Sequence, residues 1–252
     1  MPNSSRPQQA ADSTPSKGGR VAAWSVHLLT GSGVICALLT LQAVIEHRLQ
    51  AAFLWMCAAV FIDAIDGPLA RRCRTDINAA ELDGALLDNI VDFLNYTFIP
   101  LALIAYEGWV PDPGWLWVSV PALTSLFAFT HREAKDTDDG FFRGFPSYWN
   151  IVAFYVAVEM RLWGQEWTAA MLWVLALLSL MPVRFAYPNR IQHHRWFFLW
   201  GGVLWSGWLV WLLTQWPNIS RIDAWVSFIY PALYLVLSIA LDAKIRAGRL
   251  RQ

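Results

Sequence analysis

Eight stretches of this chain are long and apolar enough to restrict what it can fold into: roughly 22–45, 50–71, 82–106, 113–130, 146–163, 167–187, 196–216 and 222–243. A helix needs about 20 mostly apolar residues to cross a bilayer, and in hydrocarbon only a helix or a closed barrel satisfies its own backbone. Runs of this length read as helices. The expected fold class is therefore all-α, a polytopic integral membrane protein with eight transmembrane helices. Composition agrees: 56% of the 252 residues are hydrophobic, 15% are charged, and the mean hydropathy is +0.37. A formal net charge of zero gives no support to a nucleic-acid partner, which needs a basic face. Cys36, Cys57 and Cys73 form no CxxC pair and read as packing residues rather than as a zinc site or a disulfide framework.

Orientation follows from the cations, because cytoplasmic loops carry the excess of Lys and Arg. With eight spans and both termini cytoplasmic, all but three of the 19 lysines and arginines fall on the cytoplasmic side. Arg48, Arg161 and Arg221 are the exceptions, and one span more or fewer would spoil the pattern. Trp24, Trp115, Trp163, Trp167, Trp196 and Trp216 sit near the ends of the runs, as an interfacial aromatic belt requires. Residues 1–19, "MPNSSRPQQAADSTPSKGG", are polar, rich in Pro, Ser and Gln, and hold no signal-peptide core. They are expected to be a disordered cytoplasmic tail ahead of a membrane domain over 20–252.

The second and third runs carry charges where charge is expensive. "FIDAIDGPLARR" sets Asp63, Asp66, Gly67, Ala70 and Arg71 at i, i+3, i+4, i+7 and i+8, one face of a helix. "GALLDNIVD" sets Gly84, Asp88 and Asp92 at i, i+4 and i+8, one face of the next. The two helices run antiparallel. At 1.5 Å per residue Asp63 and Asp92 each lie about 12 Å from their cytoplasmic ends, so the four carboxylates meet at one depth. Four aspartates in a half-apolar place stay ionised only if something cancels their charge. Divalent cations do so, and hard oxygen ligands suit Mn²⁺ or Mg²⁺. The glycines leave room for a ligand or for the opposite backbone.

These residues resemble the signature of the CDP-alcohol phosphotransferase family, DxxDGxxAR, a spacer, then GxxxDxxxD, and every signature position matches. The spacer, residues 72 to 83, is longer than is usual in the family. That resembles its bacterial phosphatidylcholine synthase branch, as do "VHLLTGSGV" in the first run and "RGFPSYWN" leading into the fifth. The resemblance implies transfer of the phosphatidyl group of CDP-diacylglycerol to choline, with CMP as the other product, in the bacterial inner membrane on its cytoplasmic face. It implies two metal ions on Asp63, Asp66, Asp88 and Asp92, with Asp92 also the general base. It further implies that Gly67, Ala70, Arg71 and Gly84 lie against CDP-diacylglycerol, and that the chain forms a homodimer.

Phosphoryl transfer needs neutralised charge and an in-line nucleophile, which fits a metal-binding carboxylate cluster. Arg132, Lys135, Arg143, Arg184, Arg190 and Arg195 lie at cytoplasmic helix ends, as candidates for phosphate contact or as plain positive-inside residues. Choline's quaternary ammonium donates no hydrogen bond and is held by aromatic faces. Tyr96, Tyr148, Trp149 and Tyr187 are the candidates; Glu159 lies too far toward the outer face, and His193 and His194 read as loop residues. A serine acceptor would call for charged partners instead. A UbiA-type prenyltransferase would begin its first motif with Asn-Asp, which is absent. A cation-coupled transporter leaves the glycine and arginine of "DGPLAR" unexplained.

Overall fold

The first helix, α1 (Lys17–Ile45), is turned inside out relative to a soluble helix. Its buried face is small or polar, with Ala23, His27, Thr30, Gly33, Ala37 and Thr40 recurring every three or four residues, while Leu28, at 71% exposure, Ile35, Leu38 and Ile45 face outward. Small residues let helices approach closely in lipid, where apolar side chains gain nothing by hiding. The outward leucines and isoleucines are the surface that lipid solvates.

This computed structural model describes residues 16–130, 141–144, 147–181, 184–186 and 195–248. Residues 1–15 of the expected tail, Tyr187, Arg132, Lys135, Arg190, His193 and His194 lie outside the described residues. α1 starts at Lys17, three residues inside the stretch expected to be tail, because the Ser16 hydroxyl caps it by accepting from the Gly19 N–H at 3.0 Å.

After α1 come α2 (Leu49–Cys73), the one-turn α3 (Thr75–Asn78), α4 (Gly84–Asp92) and α5 (Ile99–Tyr106). A π-helical turn, Phe93–Phe98, joins α4 to α5 without a break, so 84–106 is one continuous rod. Pro100 explains it. A proline has no N–H to give to the carbonyl four residues back and its ring crowds that carbonyl. The wider turn instead lets the Ile99 N–H reach Leu94 O, one residue further along.

The remaining helices are α6 (Gly114–Thr130), α7 (Trp149–Leu180), α8 (Arg195–Thr214), α9 (Arg221–Ser227) and α10 (Ile229–Arg246). α7 is two helices in succession. Gly164, at φ 78° and ψ 171°, adopts a backbone that side chains disfavour and divides it at the predicted loop between the fifth and sixth runs. Helix is found within each predicted stretch, but the sixth, expected to reach 187, ends at Leu180, and β-structure holds 184–186. Among the described residues, five helical segments are long and apolar enough to cross a membrane: 17–45, 49–73, 84–106, 196–214 and 221–244. Segments 114–130 and 149–158 are shorter apolar helices.

Among the described residues, the one departure from an all-helical chain is a minimal antiparallel ladder, β1 (Phe141–Arg143) with β2 (Arg184–Ala186). It ties together the two polar connections that flank α7. The main core is built by Phe53 of α2, Leu103 and Ile104 of α5, Trp149 and Leu172 from the two halves of α7, and Leu212 of α8. α1 packs along most of α2 and also carries α4, so the two aspartate-bearing helices are gathered on α1 rather than closed on each other.

Candidate active site

The gap between α2 and α4, floored by α1, is a cleft lined by the four aspartates of the signature but not by its Gly67, Ala70, Arg71 or Gly84. It is lined by Asp63 and Asp66 from α2, Asp88 and Asp92 from α4, Thr30 and Gly33 from α1, and Asn95 and Tyr96 from the π-turn. The turn geometry explains the convergence: α4 starts where the Asp83 carboxylate caps it, accepting from the Leu86 N–H at 3.0 Å. From there, steps of four bring Asp88 and Asp92 round to the α2 side. α2 ends on Arg74 in the left-handed region (φ 49°), with Arg71 and Arg72 in its last turn, where cations favour the helix dipole.

Carboxylate oxygens of Asp63, Asp88 and Asp92 lie within 4.8 Å of one another, all three side chains half-buried. Asp66 lines the same cleft but is held apart. Only 5% exposed, it accepts a hydrogen bond at its Oδ2 from the Thr30 hydroxyl at 2.7 Å. Asp63 Oδ2 accepts one from the Tyr96 phenol, also at 2.7 Å. An all-oxygen, all-anionic donor set of this spacing fits a hard divalent cation, which removes the repulsion that otherwise opposes the cluster. The residues present therefore fit Mn²⁺ or Mg²⁺.

The two signature glycines have different neighbours. A Cβ on Gly67 would meet nothing closer than Arg71 Nη1 at 3.5 Å, so space is left beside the carboxylates, with Ala70 half-buried and the exposed Arg71 at its edge. A Cβ on Gly84 would fall 2.9 Å from Cε1 of the buried His27. Gly84 makes room for a protein ring rather than open space for a ligand. Gly33, which carries no signature, is tighter still: a Cβ there would lie 2.5 Å from Val91 Cγ1. Asn95 secures that approach by donating from Nδ2 to Gly33 O and Val91 O, both at 3.0 Å.

Of the aromatic candidates, Tyr96 and Tyr148 come together, with ring centroids 6.2 Å apart in a T-shaped contact. Tyr148 is 37% exposed, so part of its ring is open. Trp149 goes elsewhere. It is wholly buried, and its indole N–H donates to Ser125 Oγ at 2.7 Å, which makes it a core residue joining α7 to α6. Arg143 and Arg184 occupy opposed positions on β1 and β2, and Arg195 opens α8.

Thr30, Asn95 and His27 are the site residues that motif reading left without a role. "VHLLTGSGV" contains Thr30 and His27, and their i, i+3 spacing with Gly33 placed them on one face, but nothing in a single sequence says that this face meets the aspartates. The spacer is similarly hidden. It is clasped to α1, with the Glu81 carboxylate accepting from Arg20 Nη2 at 2.9 Å and from the Trp24 indole at 3.3 Å. Asn78 Nδ2 donates to Cys73 O at 2.8 Å and closes the turn from within.

Comparison with known proteins settles the family. The family model described as CDP-alcohol phosphatidyltransferase matches residues 25–208, most of the chain and all of the cleft. The chain belongs to that family. Among its curated relatives, the phosphatidylcholine synthase of Pseudomonas aeruginosa is 39% identical over 177 residues, 69% of this chain and 72% of its own. That of Legionella pneumophila is 36% identical over 68% of this chain and 67% of its own. That of Bradyrhizobium diazoefficiens is 34% identical over 236 residues, 91% of this chain and 84% of its own. As a CDP-alcohol phosphatidyltransferase with membrane-length apolar helices, the chain is a transferase of phospholipid biosynthesis.

Proposed function

We propose that this CDP-alcohol phosphatidyltransferase makes phosphatidylcholine, moving the phosphatidyl group of CDP-diacylglycerol onto choline and releasing CMP. The observation that carries the reaction class is the convergence of Asp63, Asp88 and Asp92 within 4.8 Å across two helices, with Asp66 beside them, in a chain of this family. The acceptor is supported by the relatives, each named phosphatidylcholine synthase, and by the Tyr96–Tyr148 pair next to Asp63.

In this reading Asp63, Asp66, Asp88 and Asp92 hold two ions, Mn²⁺ or Mg²⁺, which when bound neutralise charge on the diphosphate. Arg71, exposed at the end of α2, meets the nucleotide phosphate, and Gly67 and Ala70 keep the surface beside it low enough for close approach. The partly open ring of Tyr148, backed by Tyr96, offers its face to the trimethylammonium group, an attraction of about 0.5–2 kcal/mol. Asp92 takes the proton from the choline hydroxyl. The hydroxyl oxygen bonds to the β-phosphorus while the bond from that phosphorus to the bridging oxygen breaks, and CMP leaves with the bridging oxygen.

The topology belongs to the same proposal: eight spans, both termini cytoplasmic, the cleft facing the cytoplasm from the inner membrane, and residues 20–252 as one membrane domain after a polar tail. The cation asymmetry supports the orientation. The homodimer rests on the family resemblance.

The test supplies purified protein with CDP-diacylglycerol, Mn²⁺ or Mg²⁺, and choline, serine or no acceptor, and follows CMP. Choline-dependent CMP is expected; its absence overturns the acceptor, and a serine response in its place reassigns it. Asp92→Asn is expected to abolish turnover with unchanged thermal unfolding, and retained turnover removes Asp92 as the base.

A further inference from the structure

Both acids of "DAIDG" are gripped by hydroxyls from outside their own helix. Thr30, 7% exposed on α1, donates its one hydroxyl proton to Asp66 Oδ2 at 2.7 Å, the nearer of its two acceptors, Val26 O lying at 3.3 Å. Tyr96, 7% exposed on the π-turn, donates to Asp63 Oδ2 at 2.7 Å. Distances of this length are those of well-formed O–H···O bonds. Each donor approaches from a different wall of the cleft, and each takes the Oδ2 oxygen of its carboxylate.

From this arrangement we infer that Thr30 and Tyr96 are positioning residues that set Asp63 and Asp66 as single-oxygen ligands, one oxygen committed to a protein hydroxyl and the other turned to the cation. The inference rests on the metal reading of the cleft given above. A carboxylate without such a partner can rotate about its last torsion, which is broad and two-fold, and can chelate through both oxygens. Capturing Oδ2 removes that freedom before any ion arrives. Four acids can then share two cations without crowding either coordination sphere, and the smaller ion Mg²⁺ in particular needs near-octahedral geometry. Partners that orient metal ligands typically contribute 10- to 100-fold in metal affinity or activity. Tyr96 therefore does more than pack against Tyr148: its phenol is turned to the acid, while its ring makes the T-shaped contact with Tyr148.

The experiment titrates the detergent-purified full chain with Mn²⁺ alone, reading free ion by its EPR signal, for the parent, Thr30→Val, Thr30→Ser and Tyr96→Phe. Valine keeps the shape of threonine and loses the hydroxyl; serine keeps the hydroxyl. Thr30→Val and Tyr96→Phe are expected to weaken Mn²⁺ binding about 10- to 100-fold, and Thr30→Ser to stay within a few-fold of the parent. Parent-like binding by Thr30→Val, or equal weakening by Thr30→Ser, overturns the inference. Where Thr30→Val does not survive purification, Thr30→Ala against Thr30→Ser asks the same question, and equal affinities there overturn it too. A parent that binds no Mn²⁺ overturns the metal reading and this inference with it. Because neither lipid nor choline is present, a failure of the acceptor assignment leaves the titration unaffected.

Discussion

Replacing Gly33 by alanine puts one methyl group into the joint that holds the aspartate helices on α1. The added Cβ would lie 2.5 Å from Val91 Cγ1, whereas carbon atoms in contact rest at about 3.5–4.0 Å. α1 and α4 must therefore separate by about 1 Å or Val91 must leave its rotamer, and overpacking of this kind costs about 1–3 kcal/mol. The same separation stretches the bond from Asn95 Nδ2 to Gly33 O, now 3.0 Å, beyond useful length. Asp88 and Asp92 ride on α4, so the displacement reaches the carboxylates, where a misplacement of about 1 Å can cost on the order of 10²-fold in rate. The assay pairs thermal unfolding in detergent with CMP release. Gly31→Ala is the control: two residues away, nothing lies within 4 Å of its added Cβ, and alanine is favoured over glycine in a helix by about 1 kcal/mol. Gly33→Ala should unfold at lower temperature and lose at least 90% of its turnover, while Gly31→Ala matches or exceeds the parent in stability. If Gly33→Ala unfolds and turns over like Gly31→Ala, the close approach of α1 and α4 does not exist as described.

Gly67→Ala should fold like the parent and lose activity, since only Arg71 Nη1 stands near the new methyl group, whereas Gly84→Ala should lose stability, and adding His27→Ala should restore it. Parent-like melting of Gly84→Ala would refute the His27 contact. Trp149→Phe should destabilise by about 1 kcal/mol through its lost bond to Ser125 and leave the KM for choline unchanged; a raised KM with normal stability would return Trp149 to the choline site. Glu81, held below the ordinary carboxylate range by its own backbone N–H, the Trp24 indole and the Arg20 guanidinium, should keep the spacer clasped at neutral pH. A depressed folded-state value means that this contribution is complete above the unfolded glutamate value and is lost as pH falls through the folded one. Trp24 fluorescence followed from pH 7 to acid should therefore change below the ordinary glutamate range in the parent, and show no such step in Glu81→Gln.

The fate of individual predicted residues shows where motif reading stops. Asp63, Asp88 and Asp92 converge because helical periodicity is a local property, readable from spacing alone. Trp149, aromatic and near a cytoplasmic end, reads as a choline candidate, yet it fills the core; which way a residue faces in an all-apolar helix leaves little trace in periodicity when lipid and core both accept the same side chains. The spacing of Gly84 leaves room for a ligand or for the opposite helix without saying which, and the ring of His27 from α1 lies there.

What the amino-acid order by itself determined was the solvent and the chemistry. Runs of bilayer length demand helices because unpaired backbone is intolerable in hydrocarbon, and aspartates three and four residues apart must share a face. Tertiary structure alone decided that α1 is the third wall of the cleft, that Thr30 grips Asp66, and that a π-turn ahead of Pro100 carries Tyr96 to Asp63. Those contacts span 36 and 33 positions in the chain. They depend on how helices rotate and dock against one another, and small residues such as Gly33 permit that docking without announcing its partner.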